Sequence, residues 1–154
     1  GLGTSSILSA ACVKAIFQFL GKELDNSKIS EIVLCMEQIM STGGGWQDQI
    51  GGLTEGIKFI RSMPGIHQQM DVEYVKMSET AKKELQERFA LIYTGQRRLA
   101  RNLLRDVVGS YIGARPESIE ALENMAPIAA LMKFELERGN INGFAELLNQ
   151  HWKL

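Results

Sequence analysis

The chain has 154 residues, of which 45% are hydrophobic and 23% are charged, and its net charge is −1. This composition is typical of a globular protein, and the near-neutral charge argues against a nucleic-acid partner, which usually requires a basic excess. No apolar run reaches the roughly 18 residues that a membrane span needs, and the start has no signal-peptide pattern. Cys12 and Cys35 fall in helical apolar patterns and are predicted to be buried free thiols. We therefore expect a cytoplasmic protein with no nucleic-acid or membrane partner.

A glycine-rich turn opens the chain and leads directly into an apolar segment. Gly1 and Gly3 flank Leu2, and residues 5–20 are apolar almost all round, which predicts a central buried helix. Glycine lets a backbone approach an anion, and the first N–H groups of a helix point the same way. The turn is therefore either a phosphate-binding loop or an ordinary helix N-cap. Such loops normally follow a strand, so we expect the chain to be a fragment of a longer protein.

A second helix is predicted over residues 27–41. Asp25, Asn26 and Ser27 offer oxygen atoms that can cap its N-terminus. Apolar residues recur along it with the helical period, and Glu37 lies among them. This carboxylate is either at the solvated edge of the helix or a buried group that needs a cation.

The next segment, residues 43–52, is half glycine, and this composition predicts a loop with unusual backbone angles. Asp48 lies within it, and Trp46 could shield this carboxylate from water. Asp48 is either the polar residue of a tight turn or a group that orients or deprotonates a substrate hydroxyl.

The remaining elements complete an α+β pattern. Two strands are predicted near 56–61 and 71–77, a short helix over 79–87, a buried strand over 89–94, and three helices over about 96–112, 117–138 and 141–151.

The opening motif resembles that of a known family. Gly1-Leu2-Gly3-Thr4-Ser5 is similar to the second motif of the GHMP kinases, with Thr4 in place of the usual serine. The resemblance implies that Gly1, Gly3, Thr4 and Ser5 bind the phosphates of ATP. In this family the last hydroxyl of the motif, here Ser5, ligates Mg²⁺.

The family also places a magnesium-binding glutamate on a helix eleven or twelve residues before a catalytic aspartate. Glu37 and Asp48 are eleven residues apart. The resemblance therefore implies that Glu37 binds Mg²⁺ together with Ser5, and that Asp48 is the catalytic residue.

A longer string narrows the resemblance to sugar kinases. Residues 45–52, Gly-Trp-Gln-Asp-Gln-Ile-Gly-Gly, resemble those of L-fucokinases and bacterial heptose-phosphate kinases, and residues 93–104 resemble the fucokinases more. This implies ATP-dependent phosphorylation of the anomeric hydroxyl of L-fucose, on the salvage route to GDP-fucose, with Trp46 and Asp48 contacting the sugar. The alternatives are a heptose-phosphate kinase and a non-catalytic interaction or assembly module.

The resemblance also implies a domain organisation. Residues 1–78 would form part of a nucleotide-binding N-terminal domain, like domain 2 of ribosomal protein S5, and residues 79–154 the start of a helical, ferredoxin-like C-terminal domain. The family's first and third motifs are missing, so we expect a chain truncated at both ends. Such a fragment would be inactive alone and could self-associate through exposed apolar edges.

Overall fold

A computed structural model describes residues 3–40, 44–63, 65, 69–93, 95 and 100–154. Most of these residues are helical, and a small antiparallel sheet is present, as expected for an α+β chain. In chain order the elements are α1 (Thr4–Phe19), α2 (Asn26–Ile39), α3 (Gln47–Leu53), β1 (Lys58–Met63), β2 (Gln69–Tyr74), α4 (Glu79–Arg88), α5 (Ala100–Ile112), α6 (Pro116–Glu137) and α7 (Ile141–Trp152).

The chain divides into two compact units. One is formed within residues 1–55 and 95–110, and the other within residues 56–94 and 111–154. The domain boundary after residue 78 that the resemblance implies stays a prediction.

Helices α1, α2 and α3 pack together in the first unit. Its core consists of four buried side chains from α1 and α2, namely Ala10, Val13, Ile29 and Val33. Leu53, at the end of α3, packs against this cluster and is partly buried. The helical period of the second apolar segment was therefore right for Ile29 and Val33, whereas Met36, Ile39 and Met40 of the same stripe are 37%, 77% and 56% exposed.

Local hydrogen bonds define the ends of α1 and α2. Gly21 adopts a left-handed backbone (φ 69°) after α1, and the N–H groups of Gly21 and Lys22 donate to the carbonyls of Gln18 and Phe17 at 3.0 and 2.9 Å. This is the Schellman arrangement that glycine favours at a helix C-terminus. At the start of α2, the Asp25 carboxylate accepts from the Lys28 N–H at 2.7 Å. The expected N-cap of the second helix is confirmed.

The prediction that residues 43–52 form a loop was wrong for its second half, because Gln47–Leu53 is helix α3. Gly52 lies where this helix meets α1: a Cβ atom at that position would lie 2.6 Å from Cγ1 of Ile7. The glycine thus allows two helices to approach closely instead of supplying a left-handed turn. Residues 41–43 lie outside the described part of the chain.

In the second unit, β1 and β2 pair antiparallel, with Lys58 opposite Tyr74 and Met63 opposite Gln69. Helices α6 and α7 pack against each other, and α7 also contacts α4. The core of this unit is formed by four buried side chains: Met77, Ala81, Leu136 and Ile141.

The predicted buried strand over residues 89–94 was wrong where the structure describes it. Residues 89–93 are neither helix nor strand, and Phe89, Leu91, Ile92 and Tyr93 are between 67% and 81% exposed. The run of apolar residues predicted a strand, but a strand needs partner strands to satisfy its backbone groups. β1 and β2 pair with each other and not with this segment. Residue 94 lies outside the described residues.

The first helix is buried on one side only. Ser6, Ala10 and Val13 are its buried residues, whereas Leu8 and Phe19 are 66% and 90% exposed. The prediction of a helix buried all round was therefore wrong within the described residues. Both cysteines are free, as predicted, but both are exposed and not buried.

No helix among the described residues is long and apolar enough to cross a membrane.

Candidate functional site

Three helices of the first unit meet around one carboxylate. Glu37 lies in the second half of α2, and its residue is only 8% exposed. The Ser6 hydroxyl on α1 donates to Glu37 Oε1 at 2.6 Å. The Gln49 amide on α3 donates from Nε2 to Glu37 Oε2 at 2.8 Å. Each carboxylate oxygen therefore accepts a hydrogen bond from a different helix.

These two hydrogen bonds explain how an acidic residue can be buried here. Removing a carboxylate from water costs several kcal/mol in proteins unless polar partners replace the water molecules that it loses. Ser6 and Gln49 are themselves buried, at 2% and 1% exposure. The solvated edge that the sequence left open for Glu37 is therefore excluded, and the carboxylate is a buried, hydrogen-bonded group.

Gly3 lies close to the side chain of Asp48. Gly3 precedes α1 in a left-handed conformation (φ 63°). A Cβ atom on this residue would lie 3.1 Å from both Cβ and Cγ of Asp48. Asp48 is exposed, in the first turn of α3. The start of α1 and the start of α3 thus bring a glycine turn and an accessible carboxylate together.

The start of α1 can bind an anion. The first N–H groups of a helix have no partner within the helix, and their dipoles give this end a partial positive charge. Gly3 has no side chain that could cover them. Thr4 and Ser5, in the same turn, are both exposed. A phosphate group approaching this end would find backbone donors and hydroxyl groups beside Asp48.

The structure brings together several of the residues that the sequence singled out. Gly3 lies against Asp48, and Glu37 contacts the turn of α1 through Ser6. Trp46 precedes α3 and is half-buried. Gly1 lies outside the described residues.

Sequence reasoning did not identify Ser6 and Gln49 as the partners of Glu37. Ser6 shares the buried face of α1 with Ala10 and Val13, spaced four and three residues apart, and this spacing could have identified it. Gln49 gave no comparable signal, because the glycine-rich segment was interpreted as a loop, for which no buried face is expected.

The side chains at this site suit Mg²⁺, a hard cation that prefers oxygen ligands. Glu37 supplies a carboxylate, Ser6 a hydroxyl and Gln49 an amide oxygen, and the hydroxyl of Ser5 is exposed one residue before Ser6 on α1. Gln49 Oε1 is buried and has no hydrogen-bond partner among the described residues. A buried oxygen without a donor is what a cation, or water bound to one, would satisfy. Among the described residues no group of three or more histidine, cysteine, aspartate or glutamate side chains forms an alternative metal site.

Comparison with known proteins found one matching family model and several relatives. Residues 1–56 match the model of the GHMP kinases N terminal domain. Over 154 residues the chain is 39% identical to the bifunctional fucokinase/GDP-fucose pyrophosphorylase of Arabidopsis thaliana, and it covers 15% of that protein. Over 153 residues it is 33% identical to the L-fucokinase/L-fucose-1-P guanylyltransferase of Bacteroides fragilis, and it covers 16% of that protein.

A more distant relative is the D-glycero-alpha-D-manno-heptose 7-phosphate kinase of Campylobacter jejuni. It is 25% identical over 154 residues, and the chain covers 44% of it. No solved structure matches the chain. The chain thus spans less than half the length of each of these relatives.

Removing the Ser6 hydroxyl tests the hydrogen bonds around Glu37. We expect Ser6→Ala to lower the free energy of unfolding by about 1.5–3 kcal/mol, the usual contribution of a hydrogen bond to a charged group. The reason is that the buried carboxylate loses a donor that water cannot replace. Urea denaturation measures the change. The matched control is Ser5→Ala, which removes an exposed hydroxyl from the same turn, and equal stability of the two variants would contradict the role of Ser6.

Proposed function

Because residues 1–56 match the N-terminal domain of the GHMP kinases, we propose that the full-length protein containing this chain is a sugar kinase that transfers a phosphoryl group from ATP to a sugar hydroxyl. The observation that supports this most is the contact between Gly3 and Asp48. It sets a helix N-terminus suited to phosphate beside an exposed carboxylate suited to a hydroxyl group.

In this proposal the start of α1 binds the phosphates of ATP. Gly1 and Gly3 have no side chains that would hinder the approach of a phosphate, and the N–H groups of the first helical turn donate to phosphate oxygens. Thr4 and Ser5 add hydroxyl donors from accessible positions. The positive end of the helix dipole favours the same negative charge.

Glu37 and Ser5 would hold Mg²⁺ next to these phosphates. When bound, the ion neutralises the charge that develops on the transferred group. The hydrogen bonds from Ser6 and Gln49 keep the Glu37 carboxylate in one orientation. Since the carboxylate is already held in place, little reorganisation is needed at the moment of reaction.

Asp48 would act on the acceptor sugar. Its carboxylate accepts the hydrogen bond of the sugar hydroxyl and takes its proton as the hydroxyl oxygen bonds to the γ-phosphorus. The bond from that phosphorus to the bridging oxygen breaks, and ADP leaves. Trp46, half-buried just before α3, offers an apolar surface for the sugar ring. The rate gain comes mainly from positioning and from charge neutralisation.

The acceptor that we propose is L-fucose, phosphorylated at its anomeric hydroxyl to fucose 1-phosphate. This choice is supported by the two relatives named as fucokinases, which are 39% and 33% identical to the chain. The heptose 7-phosphate kinase is 25% identical and is the second candidate.

Turnover of the two acceptors separates these candidates. We expect the full-length protein to consume ATP with L-fucose and to be far slower with a heptose 7-phosphate, because a site shaped for a neutral sugar offers no partner for a second phosphate group. ADP release measures both reactions under the same conditions. Faster turnover of the heptose phosphate would reverse the assignment, and ATP consumption with neither sugar would contradict it.

Replacing the Asp48 carboxylate tests its catalytic role. We expect Asp48→Asn to lower kcat by about 10²- to 10⁴-fold, the usual contribution of a positioned acid or base. ATP affinity, measured by calorimetry, should stay close to that of the unmodified protein because Asp48 does not bind the phosphates. The control is Asp106→Asn, an exposed aspartate of α5, which should leave kcat unchanged. Near-normal turnover of Asp48→Asn would defeat the assignment.

The contact between Gly3 and Asp48 can be tested with a matched pair of glycines. Gly3 and Gly21 both have a left-handed backbone (φ 63° and 69°), but a Cβ atom added at Gly21 would meet nothing within 4 Å, whereas one added at Gly3 would meet Asp48. Alanine at either position therefore adds a similar strain of about 1–2 kcal/mol, and only at position 3 does it push the Asp48 side chain.

We expect Gly3→Ala to lower kcat about tenfold more than Gly21→Ala. The added Cβ displaces the Asp48 side chain by a few tenths of an ångström, and a displacement of about 1 Å at a reacting group can cost about 10²-fold. Steady-state kinetics with both variants, normalised to the folded fraction, gives the comparison. Equal kcat values would show that the contact has no part in the reaction.

A further inference from the structure

One polar atom of Gln49, the side-chain oxygen Oε1, takes no part in the hydrogen bonds between the helices. Its side chain is 1% exposed, and its Nε2 donates to Glu37 Oε2 at 2.8 Å. Its Oε1 is also buried and has no hydrogen-bond partner among the described residues. Buried side-chain oxygens nearly always have a donor, so the exception needs a physical reason.

The orientation of this amide is fixed by its partner. A glutamine amide can be turned over so that oxygen and nitrogen exchange places. Here the turned-over orientation would set Oε1 against a carboxylate oxygen, which is an acceptor facing an acceptor. The hydrogen bond to Glu37 therefore requires that Nε2 faces Glu37 and that Oε1 remains an unused acceptor.

The Gln49 amide thus donates to an ordered carboxylate through Nε2 and carries a buried, unused acceptor in Oε1. We infer that Gln49 is a positioning residue for the divalent cation: Nε2 fixes the orientation of the Glu37 carboxylate, and Oε1 accepts a hydrogen bond from water bound to the cation that Glu37 holds. This inference rests on the proposed function, and it adds a residue to the site that binds the cation. Groups that orient a metal-binding carboxylate in this way typically change metal affinity by about 10- to 100-fold when they are replaced.

Other roles for Gln49 explain the described contacts less well. A purely structural amide that ties α3 to α2 needs only its Nε2 contact and leaves Oε1 unexplained. An acceptor for a sugar hydroxyl would explain Oε1, but the Nε2 of the same amide contacts Glu37, for which we propose a role in binding the cation and not the sugar. Both alternatives predict results that differ from ours in the experiment below.

The first experiment replaces Gln49 with an apolar residue of similar shape. In the full-length protein with ATP present and no sugar, Mg²⁺ is titrated and the rise in melting temperature is followed. We expect Gln49→Met to raise the Mg²⁺ concentration at half-maximal effect by about 10- to 100-fold. The control is Gln38→Met, which removes an exposed amide of the same helix as Glu37 that donates to the Gly44 carbonyl at 2.9 Å. This control should leave the half-maximal concentration unchanged.

A second variant gives a result even if Gln49→Met folds poorly. Gln49→Glu sets a second carboxylate beside Glu37, and the two like charges repel unless a cation lies close to both. We expect this variant to melt at a lower temperature than the unmodified protein without Mg²⁺, and to be stabilised by Mg²⁺ more than the unmodified protein is. A purely structural role predicts the same increase for both proteins.

The outcomes separate this inference from the function on which it rests. If the unmodified protein shows no effect of Mg²⁺ on ATP binding, the proposed function and the inference both fail. If the unmodified protein responds to Mg²⁺ and both Gln49 variants respond at the same concentration and to the same extent, the inference alone fails. A raised KM for the sugar in Gln49→Met, with an unchanged response to Mg²⁺, would assign Oε1 to the sugar and overturn the inference as well.

Discussion

The first unit depends on the burial of one carboxylate. Glu37 is held by Ser6 from α1 and by Gln49 from α3, so a single side chain of α2 joins three helices. A buried charge is tolerated only when its partners are correctly placed, and removing one partner is far more costly than breaking an exposed ion pair. These hydrogen bonds tie α1 and α3 to α2, and Gly3 and Asp48 lie at the starts of α1 and α3.

The apolar contacts of this unit act in a different way. Ala10, Val13, Ile29 and Val33 form its buried cluster, and such contacts stabilise helices without demanding a particular orientation of any one side chain. The hydrogen bonds of Glu37 are directional, so they restrict the orientation of the contacting side chains in a way that apolar packing does not. In our proposal the same hydrogen bonds keep a cation-binding carboxylate ready for use, so one set of contacts contributes both to the fold and to catalysis.

Much of the secondary structure could be predicted from local patterns. The spacing of apolar residues and the N-cap at Asp25 identified α2 within a few residues of its ends, because both signals act over a single helical turn. The segment from Phe89 to Tyr93 could not be predicted in this way. A strand depends on partners elsewhere in the chain, and in the part of the chain that the structure describes β1 and β2 pair only with each other.

The residues of the candidate site likewise divide into those that local patterns identify and those that only tertiary contacts bring together. The sequence by itself determined the glycine turn before α1, the helix that carries Glu37, and the chemical types of Glu37 and Asp48, since these follow from composition and helical spacing. Only the tertiary structure decided that Gln47–Leu53 is a helix, because a short glycine-containing helix is stabilised by its packing against α1 and α2 and not by local propensity. That helix brings Gln49 to Glu37 and Asp48 to Gly3. These contacts join residues more than ten positions apart, and no local pattern specifies them.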